Sequence, residues 1–238
     1  VLGFGGILAP ATAMSANTES YDGTAWSELA DLNTARGYKI GGAGIQTAAL
    51  AFGGGSAPGA DHNETEHWNG SSWTELNDLN SAREGGGSAG FVYTAALLAG
   101  GYDTASRAYT ETWDGTNLTE VSDLNTARQG LNAFGTSTAA IAVGGSPGVK
   151  TETESWDGSS WTEIAEINEG RAYAGAFGTS TDGIVFAGYD SPSSRTTNTE
   201  AWNGTSWTEV NNLGTARESP GAAGQRGSSG LAVGAYVS

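Results

Sequence analysis

The sequence predicts an all-β protein, a five-bladed β-propeller built of four-stranded antiparallel blades. Three observations carry that prediction. A unit of similar sequence recurs five times, its first aromatic falling at Tyr21, Trp68, Trp113, Trp156 and Trp202, with spacings of 47, 45, 43 and 46 residues. Each unit holds four short runs separated by Gly-rich turns, the pattern of a propeller blade. No helical period of adequate length interrupts them.

The clearest element of each unit is a hairpin. Residues 65–83 read TEHWNGSSWTELNDLNSAR, and close variants occupy 18–36, 110–128, 153–171 and 199–217. All eight Trp lie here, filling eight of ten aromatic slots; Tyr21 and Leu118 fill the other two. Trp68, Trp73, Trp113, Trp156, Trp161, Trp202 and Trp207 are therefore expected as structural repeat positions. The two runs meet at Asn69-Gly70, and likewise at Asp22-Gly23, Asp114-Gly115, Asp157-Gly158 and Asn203-Gly204. Such pairs suit two-residue type I′ turns, in which both residues take positive φ.

Two more strands fit between hairpins. A Gly/Ala-rich stretch such as 85–90 follows each Arg, and a small-apolar run then ends in a Gly doublet. Those runs are 48–52, 95–99 and 139–143; the fourth, 184–187, has Gly188 alone. The last inner strand follows Arg217, while its hairpin lies at 18–29. The ring is thus expected to close by joining the N- and C-terminal segments in one blade, with 1–238 as a single domain. One strand is surplus, because 1–6 and 230–235 both read as second strands. One of the two is displaced, or the chain is a slice of a longer array.

These residues resemble the kelch repeat. The resemblance rests on Gly53-Gly54, Trp68, Trp73 and Arg83 and their counterparts, and it covers nearly the whole chain. It departs in placing Trp at the first aromatic slot of four units, where kelch repeats carry Tyr. The Asn-Thr-Ala-Arg and Thr-Ala-Ala-Leu-Ala-Phe-Gly-Gly phrasing is similar to kelch-like repeats of virion-associated proteins from marine bacteriophages. That resemblance implies a tail-associated or adhesion role, in the virion or outside the cell, with a glycan or protein ligand.

Composition removes several classes. The chain has 10 basic and 26 acidic residues, a net charge of −16. Nucleic-acid binding needs basic patches that two Lys and eight Arg do not supply. Without Cys there is no disulfide, thiolate nucleophile or Cys-based metal site. No apolar run approaches the length of a membrane span, and the N-terminus carries no basic region of a signal peptide.

The repeated charged residues read as scaffold. Glu19, Glu66, Glu111, Glu154 and Glu200 each stand two residues before an aromatic, on the same strand face. Arg36, Arg83, Arg128, Arg171 and Arg217 open the inner strands, and a Glu–Arg tie between blades is expected. The competing reading is an Arg ring that holds an anion. The second acidic class (Glu28, Glu75, Glu120, Glu163, Glu209) reads as a solvated blade edge, not a Ca²⁺ loop. His62 and His67 share one variable loop, so neither a hydrolytic triad nor a copper site follows. No metal and no cofactor are expected.

The segments 55–63, 102–109, 146–150 and 189–198 differ between units, and repeat proteins place variation on their binding face. Tyr102, Arg107, Tyr109, Tyr189 and Arg195 lie there, types favoured at recognition hot spots. The sequence thus points to a non-enzymatic recognition or structural module. A lyase or glycosidase built on a propeller is the rival, and an intracellular protein-interaction adaptor the third reading.

Overall fold

The fold is that of a computed structural model describing residues 1–8, 13–56, 60–191 and 194–234. It is all-β, with five antiparallel blades arranged as a β-propeller. The N-terminal region holds β1 (Leu2–Phe4), β2 (Ile7–Leu8), β3 (Ala13–Met14), β4 (Thr18–Tyr21) and β5 (Trp26–Glu28). The second blade is β6 (Gly41–Ile45), β7 (Ala48–Phe52), β8 (Thr65–Trp68) and β9 (Trp73–Glu75). The third is β10 (Gly87–Val92), β11 (Ala95–Tyr102), β12 (Ser106–Trp113) and β13 (Leu118–Val121). The fourth is β14 (Asn132–Thr136), β15 (Ala139–Val143), β16 (Thr153–Trp156) and β17 (Trp161–Glu163). The fifth combines β18 (Gly175–Thr179), β19 (Asp182–Phe186), β22 (Thr199–Trp202) and β23 (Trp207–Glu209), with a side hairpin of β20 (Tyr189–Ser191) and β21 (Ser194–Arg195). The pair β24 (Gly221–Arg226) and β25 (Ser229–Val233) follows. Among the described residues no helix is long and apolar enough to cross a membrane.

The second to fifth blades are four-stranded sheets in chain order, and their hairpin registers pair Trp68 with Trp73, Trp156 with Trp161 and Trp202 with Trp207. The expected joining of the two termini in one blade is not what forms. β1 pairs with β4 to give a three-stranded first blade, β1-β4-β5, and β24 pairs with β25 in a separate sheet. Both surplus segments thus act as second strands. β1 fills the slot beside β4 that β25 would need, so the two sheets stay unmerged. Ala235, part of the segment read as a second strand, lies outside the described residues.

The hairpin turns also correct the expectation. Four residues, not two, link Trp68 to Trp73: the Asn69 N–H donates to the Ser72 carbonyl. Asn69 Oδ1 accepts the N–H groups of Ser71 and Ser72 at 2.9 and 3.0 Å. Only Gly70 takes positive φ, at 96°. The Asx side chain does locally what a second left-handed residue would do in a type I′ turn. Asp22, Asp114, Asp157 and Asn203 accept the same two N–H bonds.

The core sits between blades. Strand alternation sends Leu50 and Phe52 towards Ala96, Leu98 and Trp113 of the third blade. It sends Ala49 and Ala51, with Trp68 and Trp73, towards Leu2 and Phe4 of the first. The third and fourth blades share Leu97, Leu131, Trp156 and Trp161, and the fourth and fifth share Phe134, Ile141, Trp202 and Trp207. Inner strands stack in the order β6, β10, β14, β18, β24. Their Gly content answers to crowding: a Cβ on Gly87 would stand 2.7 Å from the backbone nitrogen of Ala133 on the neighbouring strand.

Candidate functional site

The repeated polar residues build a buried lock. Arg36, Arg83, Arg128 and Arg171 reach Glu66, Glu111, Glu154 and Glu200 at 2.5–3.0 Å, with both side chains almost wholly buried. Each Arg leads into a blade and each Glu lies on the third strand of that same blade, so the ion pair is made within a blade, not between blades as expected, and fixes the incoming crossover to it. The second carboxylate oxygen takes the backbone N–H and side-chain amide of Asn33, Asn80, Asn125 or Asn168. Burial pulls the Arg36, Arg128 and Arg171 guanidinium groups down from their usual range, and the partner carboxylates oppose it. Such pairs orient a scaffold; with no exposed face they offer nothing to an anion in solution. Arg217 forms no ion pair among the described residues: it donates to the carbonyls of Thr215 and Gly234.

The indoles are similarly committed. Trp68, Trp113, Trp156 and Trp202 donate to the carbonyls of Gln46, Tyr93, Ser137 and Ser180, in the turn between the first two strands. Trp73 and Trp161 donate to Thr18 and Thr110 of the preceding blade. Where Leu118 replaces the second Trp, the Thr65 hydroxyl is buried without a partner.

The residues that differ between blades lie apart from these ties. The end of the propeller that carries the Gly doublets also carries the variable loops and the residues just after each Arg. These are Tyr38-Lys39, Gly85-Gly86, Gly130-Leu131, Tyr173-Ala174 and Ser219-Pro220. The first residue of every pair has positive φ, between 47° and 70°. Held so, the pairs ring the mouth of the central channel.

The predicted loop residues lie at this end, and the structure divides them. Tyr102 closes a hairpin with Ser106 and bridges to the backbone of Glu84. Arg107 is 2.7 Å from Asp103 and stacks at 5.5 Å over Tyr109. Tyr189 pairs with Arg195 and packs edge-on against Tyr173 at 6.2 Å. Arg195 meets Glu218 at 3.3 Å. Two groups result: Tyr102, Arg107 and Tyr109 on the third blade, and Tyr173, Tyr189 and Arg195 on the fifth with Glu218 from the segment leading into β24. Parts of two predicted loops, residues 57–59 and 192–193, lie outside the described residues. His62 is 2.8 Å from Glu64, and His67 stacks on Tyr93.

Lys39, Glu84, Tyr173 and Glu218 were not singled out from the sequence. Their signal was present: each replaces a small or neutral residue at a position flanking a repeated Arg. Burial, with Asp61 nearby, pushes the Glu84 carboxyl up to about 7. Tyr173 is raised by burial, with Glu84 and Glu218 adding to it. Tyr189 is raised by burial and by its hydrogen bond with Glu218. Among the described residues no group of three or more His, Cys, Asp or Glu side chains is placed to hold a metal ion.

Comparison with known proteins leaves this geometry as the main guide. No protein-family model matches the chain, and no curated protein matches it.

Proposed function

We propose that this chain is a recognition module, acting by binding rather than catalysis, whose ligand is a glycan or a protein held at the channel mouth and its loops. The propeller fold fits a binding module in general. The observation that carries the reading is a division of labour. Repeated Arg, Glu, Asn and Trp are spent on buried ties, while Tyr102, Arg107, Tyr109, Tyr173, Tyr189 and Arg195 vary between blades and gather at one end. Tyr and Arg are the side chains that recognition surfaces favour. The kelch-like phrasing of the repeats, similar to that of phage virion-associated proteins, supports a tail-associated or adhesion role outside the cell. Nucleic acid is not a partner in this reading, since a net charge of −16 repels phosphate.

The test is a glycan array probed with the purified chain and with a Tyr102→Ala, Tyr189→Ala double variant. Specific binding that the variant loses is the expected result. An array without any bound glycan, repeated on an immobilised protein library without a hit, sinks the reading.

A further inference from the structure

Ten basic side chains share this chain with 26 acidic ones, and most are neutralised. Four Arg enter the buried locks, while Arg107, Lys150 and Arg195 meet Asp103, Glu152 and Glu218. Lys39 is the exception that is both enclosed and without a carboxylate partner among the described residues. Its Nζ donates to the carbonyls of Leu131 at 2.6 Å and Gly130 at 3.2 Å, and lies 5.7 Å from the centre of the Tyr173 ring. It starts at β6 and ends at β14, so it passes over the start of β10, where Gly85-Gly86 puts no side chain in the way. Lys39 thus crosses the mouth of the channel.

This placement is built at a cost. Lys39 has φ 63° directly after Tyr38 at 47°, whereas Gly86, Leu131, Ala174 and Pro220, its counterparts, are not left-handed. A non-Gly residue held there carries backbone strain. Burial then pushes the ammonium down to about 7, because carbonyls and a ring face replace water without supplying a negative charge. The residue as a whole is only partly buried. An enclosed cation with no counter-ion, reachable from outside, lacks one thing: an anion.

We propose that the channel mouth binds an acidic sugar of the uronate class, its carboxylate paired with the Lys39 ammonium and its ring lying against Tyr173 and Tyr189. The inference rests on the glycan reading above and sharpens it. The two rings meet edge-on and are half-buried, leaving apolar surface of the kind that sugars cover. The other groups at the mouth fit a sugar as well. Glu84, raised to about 7, carries a proton in part at neutral pH, and one oxygen each of Glu84, Asp61 and Glu218 is buried without a partner. They accept sugar hydroxyls once their side chains turn out towards the ligand. The total charge of −16 opposes any anion, so the attraction is local and short-ranged.

Binding and protonation are then linked. Tyr38 is the chain neighbour of Lys39, and the Tyr173 ring lies 5.7 Å from its Nζ; Glu84 and Glu218 act on Tyr173 in turn, and Tyr189 packs edge-on against it. The carboxylate of the ligand favours charged Lys39, so uronate affinity is highest below about pH 7. It falls by up to about tenfold per pH unit above that. The experiment is calorimetric titration with trigalacturonate and with galactotriose, its neutral counterpart, from pH 5.5 to 9. Wild type, Lys39→Met and Lys39→Arg are compared, with melting curves to verify folding. The expected result is uronate binding that weakens with rising pH, drops at least tenfold in Lys39→Met, and is largely kept in Lys39→Arg. Equal binding of both trisaccharides, unaffected by Lys39→Met, overturns the uronate assignment and leaves the glycan reading standing. Failure to bind trigalacturonate while the array shows another glycan does the same. An array with no glycan bound removes the reading beneath it.

Discussion

Arg171 and Arg217 open equivalent segments of successive repeats, but only one is locked. Arg171 is buried, 2.5 Å from Glu200, with Asn168 on the other carboxylate oxygen. Arg217 donates to two carbonyls and is partly exposed, and Gly214 stands where the lock needs Asn. Glu19, the repeat equivalent of Glu200, is exposed and forms no ion pair among the described residues. The same holds for the indoles: Trp73, Trp161 and Trp207 are 6–7 % exposed, whereas Trp26 is 41 % exposed. Identical residues thus carry different energies. Arg217 and Glu19 stay apart because β1, not β25, lies beside β4, so the terminal sheets neither pair the two groups nor bury them.

The largest expected effect breaks an interior lock. Glu154→Ala leaves the Arg128 guanidinium buried and unpaired, which costs about 3–5 kcal/mol. A urea titration should show a clearly lowered midpoint; a midpoint within error of wild type would mean the locks are ornamental. Lys39→Met should do the reverse. The Lys39 ammonium titrates near 7 in the fold and at its ordinary 10.5 when unfolded. The unfolded chain therefore binds more protons between those values, and wild-type stability rises with pH across that window. The variant should gain most at or below pH 7, where each pK unit of depression is worth about 1.4 kcal/mol, and the gain should vanish by about pH 10.5. A gain that is flat with pH would show that the amine is already neutral or well solvated.

Leu118→Trp should stabilise by about 1 kcal/mol, by restoring the ring that meets Trp113 and a donor for the buried Thr65 hydroxyl. Thr65→Val in that background should cancel part of the gain, and strict additivity would exclude the hydrogen bond. The smallest effect belongs to Glu19→Ala and Arg217→Ala, each within about 0.5 kcal/mol of wild type by melting. A loss comparable to that of Glu154→Ala would show that the two terminal sheets lock together in solution after all.

Much of the scaffold was legible because repetition turns weak local signals into strong ones. One Asn-Gly in a chain means little, but five Asx-Gly pairs in one register announce hairpins. The turn type was misread, because whether Asn69 takes positive φ or supplies Oδ1 to two N–H groups is a choice of side-chain geometry that composition does not encode. The Asn of each lock went unnoticed for a related reason. Asn33 and Glu66 are 33 residues apart, and only the folded crossover brings the amide to the carboxylate.

The mouth was legible only in part. Loop variation flagged Tyr189 and Arg195, since departures from a repeat are visible in one dimension. Lys39 and Tyr173 are 134 positions apart, and nothing local links them.

The sequence by itself determined the four strands of each interior unit, the alternation that faces Leu50 and Trp68 in opposite directions, and the chemically matched Arg and Glu of those units. These follow from period-two geometry and from repetition, which act over a few residues. Tertiary structure alone decided which Arg–Glu pair loses water, which second strand holds the slot beside β4, and which lysine spans the channel. Each of those depends on a neighbour distant in sequence, and on the free energy of removing water from a site that exists only once the blades have packed.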